Sequence, residues 1–323
     1  VNINAITSPI KQELKEFDRH FRSALQSRVG IVDTIARYMV HRKGKRIRPS
    51  LVLLTAGSCG GISDSTYRGA ALVELMHSAT LIHDDVVDDA STRRGVPSIN
   101  AIWKNKISVL MGDYVLSRGL LLSLQNNDTE FLHIISRAVK RMSEGELHQI
   151  QKSRQLDIDE ATYFSIIGDK TASLLSTCCE IGAASASANG TLRKAMTDYG
   201  ENLGIAFQIK DDVLDFLGKE ITIGKPVGRD LHEKKITLPL IYAFTQATSR
   251  KAREVLRMVK RGVNPRDVLR IVSFVKEYGG IDYALEQAEE YKRRALQNLA
   301  ELPDSPCRNS LMQLTGFVIE RNK

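Results

Sequence analysis

Asp84, Asp85, Asp88 and Asp89 close an apolar run, Ala70-Ala71-Leu72-Val73-Glu74-Leu75-Met76, that reads as helix. Positions four apart share a helix face and adjacent ones lie about 100° apart, so these carboxylates present one acidic edge. Like charges at that spacing destabilise a helix by roughly 0.2–0.5 kcal/mol per pair, so the edge calls for a counterion. A hard divalent cation shared between carboxylate and phosphate oxygens meets that need, and Mg²⁺ uses few protein carboxylates while keeping waters. Arg93 and Arg94 follow, placed for the anion such metals would hold. A solvated charge run at a helix end would explain this segment equally simply. A second cluster weighs against it: Asp211, Asp212 and Asp215 repeat the spacing of Asp84, Asp85 and Asp88 inside another apolar run, Leu203 to Leu217. Two such clusters, each where carboxylates are costly to bury, predict two helices facing one another across a metal-containing pocket.

Cationic segments could complete such a pocket. The stretch Arg42-Lys43-Gly44-Lys45-Arg46-Ile47-Arg48-Pro49 turns at Gly44, with Pro49 expected as the first residue of a helix, and its cations suit a diphosphate. His77 lies seven residues before Asp84 on the same face, where it serves either as a packed side chain or as an anion ligand. Asp169-Lys170-Thr171 is a charged patch in an otherwise apolar helix. Gly218 to Lys235 mixes glycine, proline and charge, includes Lys225 and Lys235, and is expected to act as a lid over phosphate. Glu144, Glu146, His148 and Gln149 stand near the end of the helix predicted over 128–151; Glu144, His148 and Gln151 make no convincing metal set, since no further histidine stands nearby, and read as hydrogen-bonding or surface groups.

These residues require long helices to carry them. The 323-residue chain is 42 % hydrophobic and 26 % charged, with only 6 % aromatics, a composition that favours a globular helical protein over a sandwich or barrel. Helices are predicted over 11–28, 31–41, 51–59, 66–85, 99–125, 128–151, 160–184, 192–217, 236–248, 249–260, 265–278, 281–299 and 305–320. Asp159 and Asn264 are expected as caps. No domain-type linker interrupts them, so the expectation is all-α: one domain over 1–323, a helical bundle with a central cavity, preceded by an N-terminal helix within 1–29. The four cysteines show no metal-ligand spacing and read as packing groups in a reducing compartment, and neither a signal peptide nor a membrane span is expected.

The net charge of +8 is spread along the chain without aromatic interleaving, which argues for a small polyanionic substrate or an anionic lipid surface rather than nucleic acid. No Ser/His/Asp or Cys/His arrangement and no GxxxxGK[ST] loop is present. What remains is metal-assisted departure of a diphosphate, with apolar helix walls suited to a hydrocarbon.

At these positions the sequence resembles the all-trans polyprenyl diphosphate synthases, and among them the long-chain octaprenyl type. The resemblance rests on GKRIRP at 44–49, HDDVVDD at 83–89, RRG at 93–95, GDY at 112–114, KTA at 170–172, FQIKDDVLD at 207–215 and GKPVGRDLHEKKITLPL at 224–240. It implies the isoprenoid-synthase type of helical bundle. It further implies that Asp84, Asp85, Asp88, Asp211 and Asp215 ligate three Mg²⁺ ions on an allylic diphosphate, with Asp212 in support. Arg93, Lys170, Thr171, Lys225, Lys235 and Gln208 resemble that family's further contacts to this substrate, and Lys45, Arg48, His77 and Arg94 resemble its isopentenyl diphosphate site. Lys170 and Lys225 would share in catalysis. The implied reaction is ionisation of the allylic substrate, attack by the isopentenyl double bond and loss of a proton.

Small residues one turn before the first aspartate, Ala79 and Thr80, stand where short-chain members carry aromatics, so products of about thirty to forty carbons are expected. Leu120, Leu121, Leu122, Phe131 and Ile135 are candidates for the floor of the tunnel. The resemblance also implies a cytoplasmic homodimer with helix 99–125 as its seam, at most peripheral membrane contact for product release, and a product serving as a respiratory-quinone side chain. A short-chain farnesyl or geranylgeranyl diphosphate synthase retains the same polar residues. A terpene cyclase would have no use for the GKRIRP patch, and a non-catalytic partner subunit would be expected to have lost an aspartate cluster.

Overall fold

The computed structural model describes residues 2–41, 44–93, 95–217 and 228–320, and these are helical almost throughout. In chain order the helices are α1 (Ile3–Ile6), α2 (Lys11–Ala24), α3 (Gly30–His41), α4 (Ile47–Cys59), α5 (Asp64–Val87), α6 (Ile99–Gln125), α7 (Thr129–Gln155) and α8 (Glu160–Ile167). After them come α9 (Ser173–Ser185), α10 (Gly190–Leu217), α11 (Arg229–His232), α12 (Leu238–Gln246), α13 (Ser249–Arg261), α14 (Pro265–Glu277), α15 (Gly280–Asn298) and α16 (Pro306–Glu320). A short antiparallel hairpin, β1 (Thr92–Arg93) with β2 (Val96–Pro97), lies between the helices expected at 66–85 and 99–125. The fold is all-α.

Residues form two compact units. One contains residues 1–136, 177–197 and 301–311, and the other contains 137–176, 198–300 and 312–323. In the first unit α5 is the core element. Its stretch Gly69 to Val73 is apolar on every side, and a helix of that kind is stable only when surrounded. The amphipathic α2 shows the other pattern: Phe17 and Ala24 are buried, with Phe17 stacked on Phe21 at 5.7 Å. Helices α5 and α6 approach closely where Gly112 faces His83, since a Cβ at Gly112 would stand 2.2 Å from His83 Nε2. That contact gives the GDY motif a structural reason, to which Tyr114 adds a hydrogen bond from its hydroxyl to Gln26 O at 3.0 Å.

The core of the second unit gathers Ile209, Val213, Leu238, Leu240, Val259, Ile271 and Ala288. Its caps follow local chemistry. The Asp159 side chain accepts from Thr162 N and starts α8, while Asn264 and Asp267 form a reciprocal capping box with Pro265 in the first turn of α14.

Three local expectations need correction. Pro49 does not open its helix: α4 begins at Ile47, after Arg46 in the left-handed region (φ 51°). The helix expected as continuous over 160–184 is interrupted by a π-helical turn, Gly168–Ala172. Helix α2 stops at Ala24, short of the expected 28, because the polar Gln26-Ser27-Arg28 gives the next turn little to bury.

Cys178 and Cys179 are buried and Cys59 and Cys307 half-buried, all four as free thiols. By length and composition α6 could cross a membrane, yet it also packs along α5 within the first unit.

Candidate active site

In the first unit, α5 ends in the acidic motif. Asp84 and Asp88 lie exposed on one face, as their four-residue separation requires. Asp85 turns the other way, is 4 % exposed, and accepts from Arg93 Nε at 2.7 Å. Asn100 Nδ2 reaches the Asp85 carbonyl at 3.4 Å. The hairpin therefore delivers Arg93 to the aspartate that the sequence reading assigned to metal. Arg94 lies outside the described residues, as do Arg42 and Lys43.

His77 is buried within α5, and the Thr80 hydroxyl donates to its carbonyl at 2.9 Å. Ala79 is 3 % exposed and packed in a cluster with Leu75, Ile82, Met111 and Val115. Of the expected floor residues, Phe131 and Ile135 are buried, Leu122 is half-buried, and Leu120 and Leu121 are exposed within their own unit. Lys45 is exposed and Arg48 half-buried in the first turn of α4, where the helix dipole already presents positive charge. Arg46 is engaged by Asp18 at 2.5 Å. Sequence reasoning missed Tyr38, whose hydroxyl donates to Pro97 O at 2.8 Å and whose ring meets Trp103 edge-on at 5.1 Å. It ties α3, which leads into the cationic segment, to the hairpin.

The second unit holds a cavity of about 90 Å³ lined by both polar side chains and isoleucines. Lys170, Thr171, Gln208, Asp212 and Lys235, all singled out from the sequence, contribute to its wall. The π-helical turn supplies Lys170 and Thr171, and such turns mark functional sites often enough to be informative. It is held from two directions. Arg141 donates to Asp169 Oδ1 at 2.8 Å and to Glu201 Oε1 at 2.7 Å, and Gly204 lets α10 approach so closely that a Cβ there would stand 2.4 Å from Ala172 Cα. Burial opposes the charge of Arg141, but the bonds to Glu201 and Asp169 outweigh it and raise the guanidinium pKa. Lys170 Nζ meets Glu146 at 2.5 Å and Gln149 Oε1 at 3.0 Å, so two acceptors on α7 hold the lysine, and Gln149 itself lines the cavity.

Three aspartates on α10 have different surroundings. Asp211 is exposed, and Asp215 is half-buried, accepting from the backbone N–H of Arg229 (3.2 Å) and Asp230 (3.1 Å). Asp212 is 4 % exposed and accepts from Tyr163 Oη and Gln208 Nε2, each at 2.7 Å. Burial pushes the Asp212 carboxyl well above its ordinary value, with repulsion from Asp230 adding to it and the two hydrogen bonds opposing. Burial also raises Asp215, and burial with the charge of Asp215 raises Asp230 to about 6. Lys235 pairs with Glu233. Burial disfavours the lysine's charge, but that partner prevails and its pKa rises. Tyr163 and Arg141 were not singled out from the sequence, since their partners lie far along the chain, and Asp230, inside the charged stretch 218–235, was given no role of its own. Lys225 and the stretch 218–227 lie outside the described residues; the remainder of the expected lid, 228–235, contains α11, and Gly228, Arg229 and Asp230 are bonded to Asp215 through their backbone N–H groups.

Chemically, exposed carboxylate oxygens such as those of Asp84, Asp88 and Asp211 are hard donors suited to a hard divalent cation. Among the described residues, however, no three His, Cys, Asp or Glu side chains already converge on one point. The donor type fits such an ion, while the coordination set is not pre-formed.

Solved structures share this architecture over the full chain. A decaprenyl diphosphate synthase from Rhodobacter capsulatus superposes with a TM-score of 0.93 at 33 % identity, covering 100 % of both chains. A polyprenyl synthase from Caulobacter crescentus CB15, complexed with calcium and isoprenyl diphosphate, gives 0.91 at 34 % identity over 100 % of this chain and 98 % of the other. Fold and site together define the class: an all-α enzyme of the isoprenoid-synthase type. By sequence, an all-trans-nonaprenyl-diphosphate synthase (geranyl-diphosphate specific) of Rhodobacter capsulatus is 35 % identical over 317 residues, 98 % of this chain and 97 % of that one. The polyprenyl synthetase family model matches residues 29–275, and the chain belongs to that family. It is accordingly a prenyltransferase of the polyprenyl diphosphate synthase kind.

Proposed function

We propose that this enzyme condenses an allylic diphosphate, farnesyl diphosphate being the expected primer, with successive isopentenyl diphosphates, releasing diphosphate and making an all-trans product of about thirty to forty carbons. The observation that carries this reading is the cavity of the second unit, whose lining combines Lys170, Lys234, Lys235, Asp212 and Asp230 with Ile158, Ile166, Ile167 and Ile236. A diphosphate head and a prenyl tail need that combination of charge and hydrocarbon. Asp84, Asp85, Asp88, Asp211 and Asp215 would hold three Mg²⁺ ions, which neutralise the departing diphosphate. Lys170, Lys225, Lys235, Arg93, Thr171 and Gln208 would contact the allylic substrate. Lys45, Arg48, His77 and Arg94 would bind isopentenyl diphosphate. The two units would work as one domain in a cytoplasmic homodimer. Its seam would be α6, which leaves Val109, Leu110, Leu121 and Leu124 exposed. A quinone side chain is the proposed use of the product, with peripheral membrane contact at its release.

The test is incubation with farnesyl diphosphate, excess isopentenyl diphosphate and Mg²⁺, followed by chromatography of the dephosphorylated products. Asp84→Ala or Asp211→Ala should lower turnover by roughly two to four orders of magnitude with the fold retained, and chelation should abolish it. Prenyl transfer at ordinary rates in excess EDTA would overturn the proposal. A second reading, a short-chain farnesyl or geranylgeranyl synthase, is favoured by one observation: Ala79 is small but enclosed by Leu75, Ile82, Met111 and Val115. Products ending at about fifteen to twenty carbons would establish it.

A further inference from the structure

Four side chains form one continuous hydrogen-bond chain in the second unit. Tyr163, 2 % exposed, donates its hydroxyl proton to Asp212 Oδ2 at 2.7 Å. Gln208 Nε2 donates to Asp212 Oδ1 at 2.7 Å, and Gln208 Oε1 accepts from Thr171 Oγ1 at 2.9 Å. The chain has a direction. Asp212 accepts at both of its oxygens here, and a carboxamide carries its donor and its acceptor on opposite arms, so fixing one arm fixes the other. Once Asp212 receives donors at both oxygens, Gln208 must turn its NH₂ toward Asp212 and its carbonyl toward Thr171. The single hydroxyl proton of Thr171 is then committed to Gln208. Its lone pairs are left for the cavity, whose wall includes Thr171, Gln208, Asp212 and Tyr163 itself.

We propose that Tyr163 is a positioning residue for prenyl transfer: by donating to Asp212 it locks this chain so that Thr171 offers lone pairs, and not a proton, to the allylic carbon. This rests on the reading that an allylic diphosphate ionises in this cavity. Positive charge that develops at carbon is stabilised by an oxygen lone pair already aimed at it and opposed by an O–H proton aimed there. Lys170 precedes Thr171 in the π-helical turn and is held by Glu146 and Gln149, so the turn brings a cation for the diphosphate next to an acceptor for the carbon. No bond changes at Tyr163, and it touches no reacting atom. Its ring is anchored separately by an edge contact with Phe164 at 5.5 Å, so the hydroxyl can be removed while the packing stays.

Tyr163→Phe, Thr171→Val and the double variant, made in the full chain, test this with farnesyl diphosphate, isopentenyl diphosphate and Mg²⁺. Tyr163→Phe should lower kcat of the first condensation roughly tenfold while leaving KM for isopentenyl diphosphate within about two-fold of wild type. Because the tyrosine acts through Thr171, the double variant should be no slower than Thr171→Val alone, within about two-fold. A merely structural tyrosine would give losses that multiply and would move both Michaelis constants. Tyr163→Phe at the wild-type rate, or multiplying losses, overturns the inference. Should Tyr163→Phe fail to fold, Gln208→Leu combined with Thr171→Val tests the same chain: non-additive losses support it and multiplying losses overturn it. A wild-type enzyme that makes no prenyl product would instead refute the proposed function, whereas an active wild type with a silent Tyr163→Phe refutes only this inference.

Discussion

Arg93 Nε stands 2.7 Å from Asp85 Oδ1, so a cation proposed for the substrate diphosphate and a carboxylate proposed for a metal are bound to each other. The pair couples the hairpin to the end of α5. Asp85 is nearly enclosed while the Arg93 side chain is about a third exposed (34 %), which screens the pair and makes it worth less than a fully buried one.

Arg93→Gln is therefore expected to lower stability by about 1–3 kcal/mol, most of it the cost of leaving Asp85 without its cation. It should also raise KM for the allylic substrate. Urea unfolding reads the first effect and initial rates the second; a variant as stable as wild type would mean that solvent already satisfies Asp85.

Chain length depends on where the hydrocarbon meets its wall. Ala79 is packed in a closed cluster, so Ala79→Tyr should cost roughly 1–3 kcal/mol by overpacking, visible as a lower melting temperature. Thr80, half-buried on the next position, is the cleaner probe, and Thr80→Phe should shorten the products with the first condensation intact. Phe131→Ala should lengthen them, since Phe131 is 4 % exposed whereas Leu120 and Leu121 face outward. Product chromatography would contradict this assignment if trimming Leu121 lengthened the chain and trimming Phe131 did not.

Lys104 adopts φ 68° and ψ 166° inside α6, a region that essentially only glycine occupies comfortably. Relief of about 1–3 kcal/mol of backbone strain outweighs the extra unfolded-state freedom of glycine, roughly 0.5–1 kcal/mol. Lys104→Gly should accordingly move the urea midpoint upward, and Lys104→Ala should not.

The buried thiols should show their environment through pH. Burial raises Cys179 from 9.0 to about 12 and Cys59 to about 11, so in the folded protein both remain neutral through the physiological range. A group whose folded pKa is raised stabilises the fold below its unfolded value and loses that contribution as pH climbs toward the folded one. Stability should thus fall between pH 9.0 and about 12, and the fall should be smaller in Cys179→Ala. Iodoacetamide labelling of native Cys179 should be negligible at neutral pH; ready labelling there would show the thiol to be open to solvent.

The sequence by itself determined the all-α fold, the helices that carry both aspartate motifs and the caps at Asp159 and Asn264, because helical periodicity and capping are local properties. It also marked Lys170, Thr171, Gln208, Asp212 and Lys235, which the fold gathers around one cavity. Only the tertiary structure decided what each of them touches. Asp84, Asp85 and Asp88 look alike in sequence, yet α5 geometry exposes two and turns Asp85 toward Arg93. Asp212 lies within a run of charge that reads as uniform, yet it is buried under Tyr163, 49 positions away. The π-helical turn at Gly168–Ala172 has no signature of its own; it exists because Arg141 and the close approach at Gly204 hold it. Such contacts join positions far apart in the chain, and only packing of the folded chain fixes which partners meet.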